Sequence, residues 1–434
     1  MDTTRLPGTA ALGSLELPAA PRLRIPDRGQ LRLEPVCLEE RISAEHAVRA
    51  VWAIVERLDL RRFEEGIAAR GAAPGRAATD PRLLVSLWLF ATIENIGSAR
   101  RLERLCQEHD AYRWLCGGVL VNHHTLSDFR VAHEQALDEL LTQMIVTLVS
   151  HGLVRVERIS QDGLRTRAAA GTSSFRREKT LRRLLAEAQA HVAAVKRQVE
   201  EAPAEEARRV AARQRAARER LERVEAALAV LPELQAIKQN RTGKPSRRNE
   251  PRVSTTDPQA RRMKLGNGAI APAYNVQFAA DTASRAIVGV DVTSAGSDQS
   301  QSEPLRQQVE QRTGRKVREH LLDGGYVKKE LIDRAEAAGV AIYAPLPTGK
   351  DSQPCTRGPR DGPGVAAWRR RMTTPAAQAI YKERAATAET VNAETKTYRG
   401  LSRFLVRGLS KVRCVTLWTA LAYNIVHFQE VLIV

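Results

Sequence analysis

The chain has 434 residues, 43% of them hydrophobic, which is enough for two or three domains with a substantial core. Lys and Arg number 68 against 50 Asp and Glu, and a net charge of +18 favours a polyanionic partner, nucleic acid or an anionic membrane surface, over an ordinary metabolic substrate. Aromatic residues at 4% are too few for a base-stacking platform. Five scattered cysteines without a C-x-x-C pair argue against a zinc site or a disulfide framework and fit a reducing cytoplasm.

In chain order, residues 1–43 read as a disordered arm, rich in Pro, Gly and Leu without a period and lacking an apolar signal segment. Residues 44–151 have a helical pattern. Asp80-Pro81 opens a helix with Pro at its first position, and Leu83, Leu84, Leu87, Trp88 and Ala91 form its apolar stripe. Ser98 is placed to cap the next helix, and Thr125-Leu126-Ser127-Asp128 has the form of a capping box. This all-α stretch is either a plain bundle or one that carries a DNA-reading helix. The apolar run 83–93 falls well short of the ~20 residues a membrane span requires. The longer run 414–428 contains Thr416, Thr419, Asn424 and His427, so no membrane partner is expected.

Strand-like chain begins at Leu153 and its run closes on Ile159-Ser160-Gln161-Asp162-Gly163, which places Asp162 at the strand's end. A hairpin follows much later, over Tyr274–Ala280 and Ile287–Val292. Next come a helix over 301–311, a short strand through His320-Leu321-Leu322 to Asp323, a helix over 328–338 and a strand over 340–343. Residues 345–374 read as a loop, and two helices over about 375–396 and 411–428 close the chain. Between first strand and hairpin lies an insertion, 170–250. Leu181, Leu184, Ala188, Val192, Val195 and Val199, then Ala207, Val210, Gln214, Ala217, Leu221, Val224, Leu228 and Leu231, fall three or four residues apart. They form the seam of an antiparallel helical hairpin or of a coiled coil with another chain. Residues 165–264 hold 25 Lys and Arg against 12 Asp and Glu, so the insertion and its flanks carry most of the excess charge. Arg247 and Arg248 follow the helices in a Gly/Pro-containing tail, and a phosphate-contacting surface is favoured over a merely solvated face.

Three acids stand out by context: Asp162 at a strand end, Asp323 after a strand with two glycines behind it, and Glu389 on a helix. Carboxylates so placed can converge above an α/β sheet. Together they repel one another unless cations intervene. Two Mg²⁺ ions held there can drive in-line phosphoryl transfer on a nucleic-acid backbone. Around Glu389 the sequence runs Tyr381-x2-Arg384-x4-Glu389-x6-Lys396. On an α-helix Lys396 lies about two turns on, facing the same way, whereas Arg384 is about 140° round on a neighbouring face. No G-x4-G-K-[ST] pattern is present, so an ATP-driven step is not supported.

Asp162-Gly163, Asp323-Gly324-Gly325-Tyr326 and the Tyr-Arg-Glu-Lys helix together resemble the DDE transposases of bacterial insertion sequences. The likeness extends to Asp80–Leu84, Ser98–Glu103 and Thr125–Arg130, to Tyr274-Asn275-Val276-Gln277, and to Arg399–Leu401, Arg403–Leu409 and Lys411–Arg413. It implies an RNase-H-like mixed β-sheet flanked by helices over 152–434, an all-α DNA-binding domain over 44–151, and a basic helical hairpin inserted at 170–250. It also implies that Asp162, Asp323 and Glu389 bind two Mg²⁺ ions (Mn²⁺ as a substitute) to cut double-stranded DNA at the element's terminal inverted repeats and join it to target DNA. Tyr381, Arg384 and Lys396 would position end DNA, and a homodimer would hold both ends, in the bacterial cytoplasm on the nucleoid. Glu394, five residues past Glu389, departs from the neutral residue expected there. The alternative is a catalytically inactive or repurposed transposase acting as a DNA-binding protein.

Overall fold

Among the described residues, seven α-helices precede the first strand: α1 (Ala47–Arg57), α2 (Arg61–Glu64), α3 (Pro81–Ile93), α4 (Ala99–Glu108), α5 (Asp110–Cys116), α6 (His123–Ala132) and α7 (Glu134–Ser150). The computed structural model describes residues 35, 37–70, 77–201, 207–242, 250–348, 355, 356, 358 and 361–433; most of the arm predicted at 1–43 lies outside them. Asp80 caps α3 by accepting from the Arg82 N–H at 2.8 Å, and Ser98 caps α4, both as the sequence predicts. Helix α6 starts earlier than its capping-box signal, because Asn122 accepts from the Thr125 N–H at 2.9 Å and is the cap instead.

The mixed sheet contains β1 (Arg158–Arg167), β4 (Arg261–Lys264), β5 (Ile270–Asp281), β6 (Ile287–Thr293), β7 (Glu319–Leu321) and β8 (Ala341–Tyr343). Its order is β4-β5-β1-β7-β8, with β6 also on β5. Strands β1, β5 and β6 are antiparallel neighbours, whereas β7 and β8 run parallel to β1. Helices α11 (Ser302–Thr313) and α12 (Lys329–Ala337) connect the later strands, followed by α13 (Pro363–Met372), α14 (Pro375–Arg384), α15 (Thr390–Tyr398) and α16 (Leu409–Leu432).

Two predicted boundaries move. Leu153–Glu157 is not strand: Gly152 and Val156 have φ of 73° and 64°, and the Val156 N–H is held by Asp281 Oδ1 at 2.9 Å. The alternation of Val154 with Val156 reflects burial of both in a turning segment. The loop predicted over 345–374 contains α13, where Val365, Trp368 and Met372 are buried at helical spacing and the Trp368 indole donates to the Ala344 carbonyl at 3.1 Å.

One apolar cluster runs from Ile42 to Leu432. Its hub is α16, buried at every position from Cys414 to Ile425, a helix apolar all round because it has partners on all sides. It packs on α3, α6 and α7 and on β6. Asn424 within it accepts from the Ile287 N–H at 2.9 Å and donates to the Ile287 carbonyl at 3.0 Å. Gln308 of α11 does the same for Val290, at 2.9 and 3.0 Å. Two side-chain amides thus satisfy the outer edge of β6, which would otherwise present unpaired backbone groups.

The insertion is rooted in a two-stranded ribbon, β2 (Phe175–Arg176) with β3 (Val253–Ser254), and rises as α8 (Glu178–Glu201), α9 (Ala207–Ala229) and α10 (Leu231–Thr242). Helices α8 and α9 pack on each other, burying Leu181, Ala188, Val195, Val210, Ala217 and Val224, so the seam is internal to the hairpin.

Helix α11 approaches β6 closely over Gly289, where a Cβ would stand 2.8 Å from Val309 Cγ2. Gly289→Val overpacks this interface and is expected to destabilise the chain by about 1–3 kcal/mol. Urea unfolding would show a lower midpoint at an unchanged slope; an unchanged midpoint would contradict the packing described.

Candidate active site

The parallel pairing of β1 with β7 matches Arg158 with Glu319, Ile159 with His320 and Ser160 with Leu321. Carried two residues further, that register sets Asp162 level with Asp323. Strand β7 stops at Leu321, so β1 is freed from this neighbour beside Asp162. Asp162 lies within β1, not at its end as predicted, because β5 pairs with β1 from Ile159 to Arg167 and carries the strand onward. Asp323 caps the 3-10 turn Gly324–Tyr326, its Oδ1 accepting from the Gly325 N–H at 2.7 Å.

Glu389 arrives by a different device. Helix α14 continues through a π-helical turn, Ala385–Glu389, directly into α15. The π turn takes one more residue per repeat than an α turn, which changes which side chains meet. Arg384 and Glu389, expected on neighbouring faces, are therefore in contact: Arg384 Nη2 donates to Glu389 Oε1 at 2.9 Å. Arg384 Nη1 stands 3.6 Å from Asp162 Oδ2, and the turn packs on β1 and β5. One guanidinium, its side chain only 14% exposed, thus spans two of the three predicted acids.

Asn392, not singled out in the sequence, donates to Asp162 Oδ2 at 3.1 Å, and its own Oδ1 is buried without a partner. Its position three residues past Glu389 was the available signal. Asp162 Oδ1 accepts from the Gly163 N–H at 2.8 Å. The Tyr381 ring centre lies 6.0 Å from the Arg384 guanidinium carbon, and Lys396 is exposed on α15. Arg247 and Arg248 lie outside the described residues. Glu394 belongs to a different contact: it accepts from Arg399 at 3.1 Å and meets His427 at 2.9 Å, tying α15 to α16.

Burial pushes the Asp162 carboxyl above its ordinary pKa, and Asp323 and Asp298 add to this; the Gly163 N–H and Arg384 oppose it. Burial acts to lower the Arg384 pKa, but Tyr381, Asp162, Glu389 and Asp323 outweigh it and hold the guanidinium above its usual value. All three acids therefore lie within one electrostatic neighbourhood. Among the described residues, no three His, Cys, Asp or Glu side chains are close enough to hold an ion, and the cation between Asp162 and Glu389 is Arg384.

At the root of the insertion, Arg176, Arg183, Arg220 and Arg223 with Thr180 and Thr255 line a cleft of about 340 Å³. Arg183 and Arg223 are paired with Glu187 and Glu219 one helical turn away.

Two family models match the chain. One described as a transposase domain covers residues 36–132, and one described as a transposase DDE domain covers 364–428, the segment that carries Tyr381, Arg384, Glu389 and Lys396. Both matches support a DDE transposase of an insertion element. Neither a curated protein nor a solved structure matches it. The two matched segments of the transposase meet in the fold, since α16 packs on α3 and α6.

The raised Asp162 pKa has a consequence for stability. Folding favours the neutral acid, so its contribution is full at low pH and disappears as pH rises through the folded value. Asp162→Asn removes that pH dependence. The variant is expected to melt at a higher temperature than the wild type at pH 7 without added metal, the difference vanishing below about pH 4. Thermal unfolding across pH checks this; equal melting at pH 7 would refute it.

Proposed function

We propose that the transposase cuts and joins double-stranded DNA at the ends of its element, using Asp162, Asp323 and Glu389 on an RNase-H-like sheet. The observation that carries this reading is the meeting of Asp162 and Glu389 across Arg384, with Asp323 in the same field. The order β6-β5-β1-β7-β8, three antiparallel strands followed by two parallel ones, supports the fold assignment.

The donor set fits divalent metal: hard carboxylate oxygens, the unpartnered Asn392 Oδ1, and excess negative charge that imports a guanidinium in the structure described. Asp162, Asp323 and Glu389 would hold two Mg²⁺ ions, or Mn²⁺ in their place. When bound, such ions would supply activation of an attacking oxygen and stabilisation of the leaving one. The chain's own groups bind and orient. Arg384 is a bidentate phosphate donor once released from the acids. Tyr381 buttresses it, and Lys396 supplies a second positive charge one helix segment on. The helices over 44–151 and the basic insertion over 170–250 contact end DNA, the insertion through the arginine cleft and through Arg247 and Arg248. A homodimer on the bacterial nucleoid holds the two ends. The presence of all three acids favours catalysis over an inactive DNA-binding role.

Wild-type protein with Mg²⁺ is expected to nick DNA carrying the element's terminal repeats. Asp162→Ala and Asp323→Ala should reduce nicking to background while band-shift affinity stays near the wild-type value. Equal nicking by the variants, or none by the wild type, would sink the reading.

The cleft makes a separate prediction. Replacing Arg176 and Arg220 together by Ala should weaken DNA binding and make its dependence on log salt shallower, by about 1 for each phosphate that is no longer neutralised. An unchanged salt slope would remove the cleft from the DNA path.

A further inference from the structure

Side chains alternate along a strand, so Gln161, Gly163 and Arg165 face away from Asp162, on the opposite side of β1. Gly163 pairs with Gln277 and Arg165 with Asn275 across β5. Asp298, 6% exposed and lying between β6 and α11, projects its carboxylate onto this back face. Its Oδ1 accepts from Asn275 Nδ2 at 2.7 Å and from Gln277 Nε2 at 2.8 Å, and its Oδ2 pairs with Arg165. Gln277 Oε1 in turn accepts from Gln161 Nε2 at 2.9 Å and from the Tyr326 hydroxyl.

This network touches the chain immediately after both aspartates. A Cβ on Gly163 would stand 2.6 Å from Asp298 Oδ1. A Cβ on Gly325 would stand 3.5 Å from Asp298 Oδ2 and 2.9 Å from Asp323 Oδ1. Gly163 therefore lets one buried carboxylate lie against the residue after Asp162, and the same carboxylate stands in ordinary contact range of Gly325 in the turn that Asp323 caps, where the close approach is to Asp323 itself. Tyr326, the last residue of that turn, is joined through Gln277 to the same carboxylate. A buried ionic network of this kind is weak evidence for stability, since apolar residues often fill such a space at no cost. Its placement under both acids gives it another use.

We propose that Asp298 is a positioning residue: through Asn275, Gln277 and Tyr326 it fixes the Asp162–Gly163 and Asp323–Gly325 segments at the separation needed for Asp162 and Asp323 to bind divalent metal together. This rests on the metal-dependent reading above. Groups behind metal ligands typically change metal affinity by about 10- to 100-fold when replaced.

The test is Mn²⁺ binding to the full-length protein without DNA, followed by electron paramagnetic resonance. Asp298→Asn should keep the wild-type circular dichroism and, in EDTA, its DNA affinity, while weakening Mn²⁺ binding about tenfold. The Mg²⁺ concentration for half-maximal nicking should rise in parallel, with the rate recovered at saturating metal. Tyr326→Phe, which deletes only the hydroxyl, should shift Mn²⁺ affinity the same way by a smaller factor, and it decides the matter if Asp298→Asn does not fold. Wild-type Mn²⁺ affinity in a folded Asp298→Asn, or in Tyr326→Phe where that variant decides, overturns the Asp298 inference alone. Absence of Mn²⁺ binding by the wild type overturns the metal-dependent reading and the inference with it.

Discussion

Carboxylates drawn toward one buried site must be matched by positive charge, and the contacts of Arg384 follow from that requirement. Two unit charges 4 Å apart repel by about 4 kcal/mol at the effective dielectric of a protein surface, a large fraction of a domain's net stability. In the structure described, Arg384 meets the demand for Asp162 and Glu389. It can reach both because the π turn between α14 and α15 brings Arg384 and Glu389 into contact. A guanidinium is also a fitting partner for a phosphate, so the group that quiets the acids is one that a phosphate can compete for.

The scaffold keeps this site in place from behind. Helix α16 is buried against β6 on one side and against α3, α6 and α7 on another, so the N-terminal helices and the sheet share one apolar cluster. Arg312 of α11 adds a polar tie, donating to the Val288 carbonyl at 2.9 Å and pairing with Asp138 of α7. Segments far apart in sequence thus form a single rigid support, and the acids inherit their positions from it.

Much of this was legible in the sequence where local chemistry decides structure. Asp80-Pro81 and Ser98 are caps that act within one turn, and the seam of α8 and α9 is a repeat that any helix must honour. The sequence marked the acids by context (Asp162-Gly163, Asp323-Gly324-Gly325 and the Tyr381–Lys396 helix), and the structure brings Asp162 and Glu389 to one guanidinium. Long-range context hid the rest. Val154 and Val156 alternate like a strand, but the turn around them is imposed by Asp281, 125 residues on. The contact of Arg384 with Glu389 depends on a π turn, which α-helical geometry does not anticipate. Asp298 carried no local signal, since its partners lie on β1 and β5.

The strand that bears Asp162 is polar on both faces at this point: the acid and Asn392 on one side, Asp298 with Gln277 and Arg165 on the other. With only Leu164 here packed against the apolar core, side-chain burial alone fixes the register of this stretch weakly. Register instead comes from unbroken pairing with β5 between Ile159 and Arg167 and from anchors at the strand's ends. At the start, Ile159 is buried and Arg158 pairs with Glu319 and Glu383; at the end, the Arg167 carbonyl accepts from the Phe404 N–H at 2.8 Å. Backbone pairing leaves both faces free for polar groups, so a central strand can hold a largely buried acid on one face and a polar floor beneath it at once.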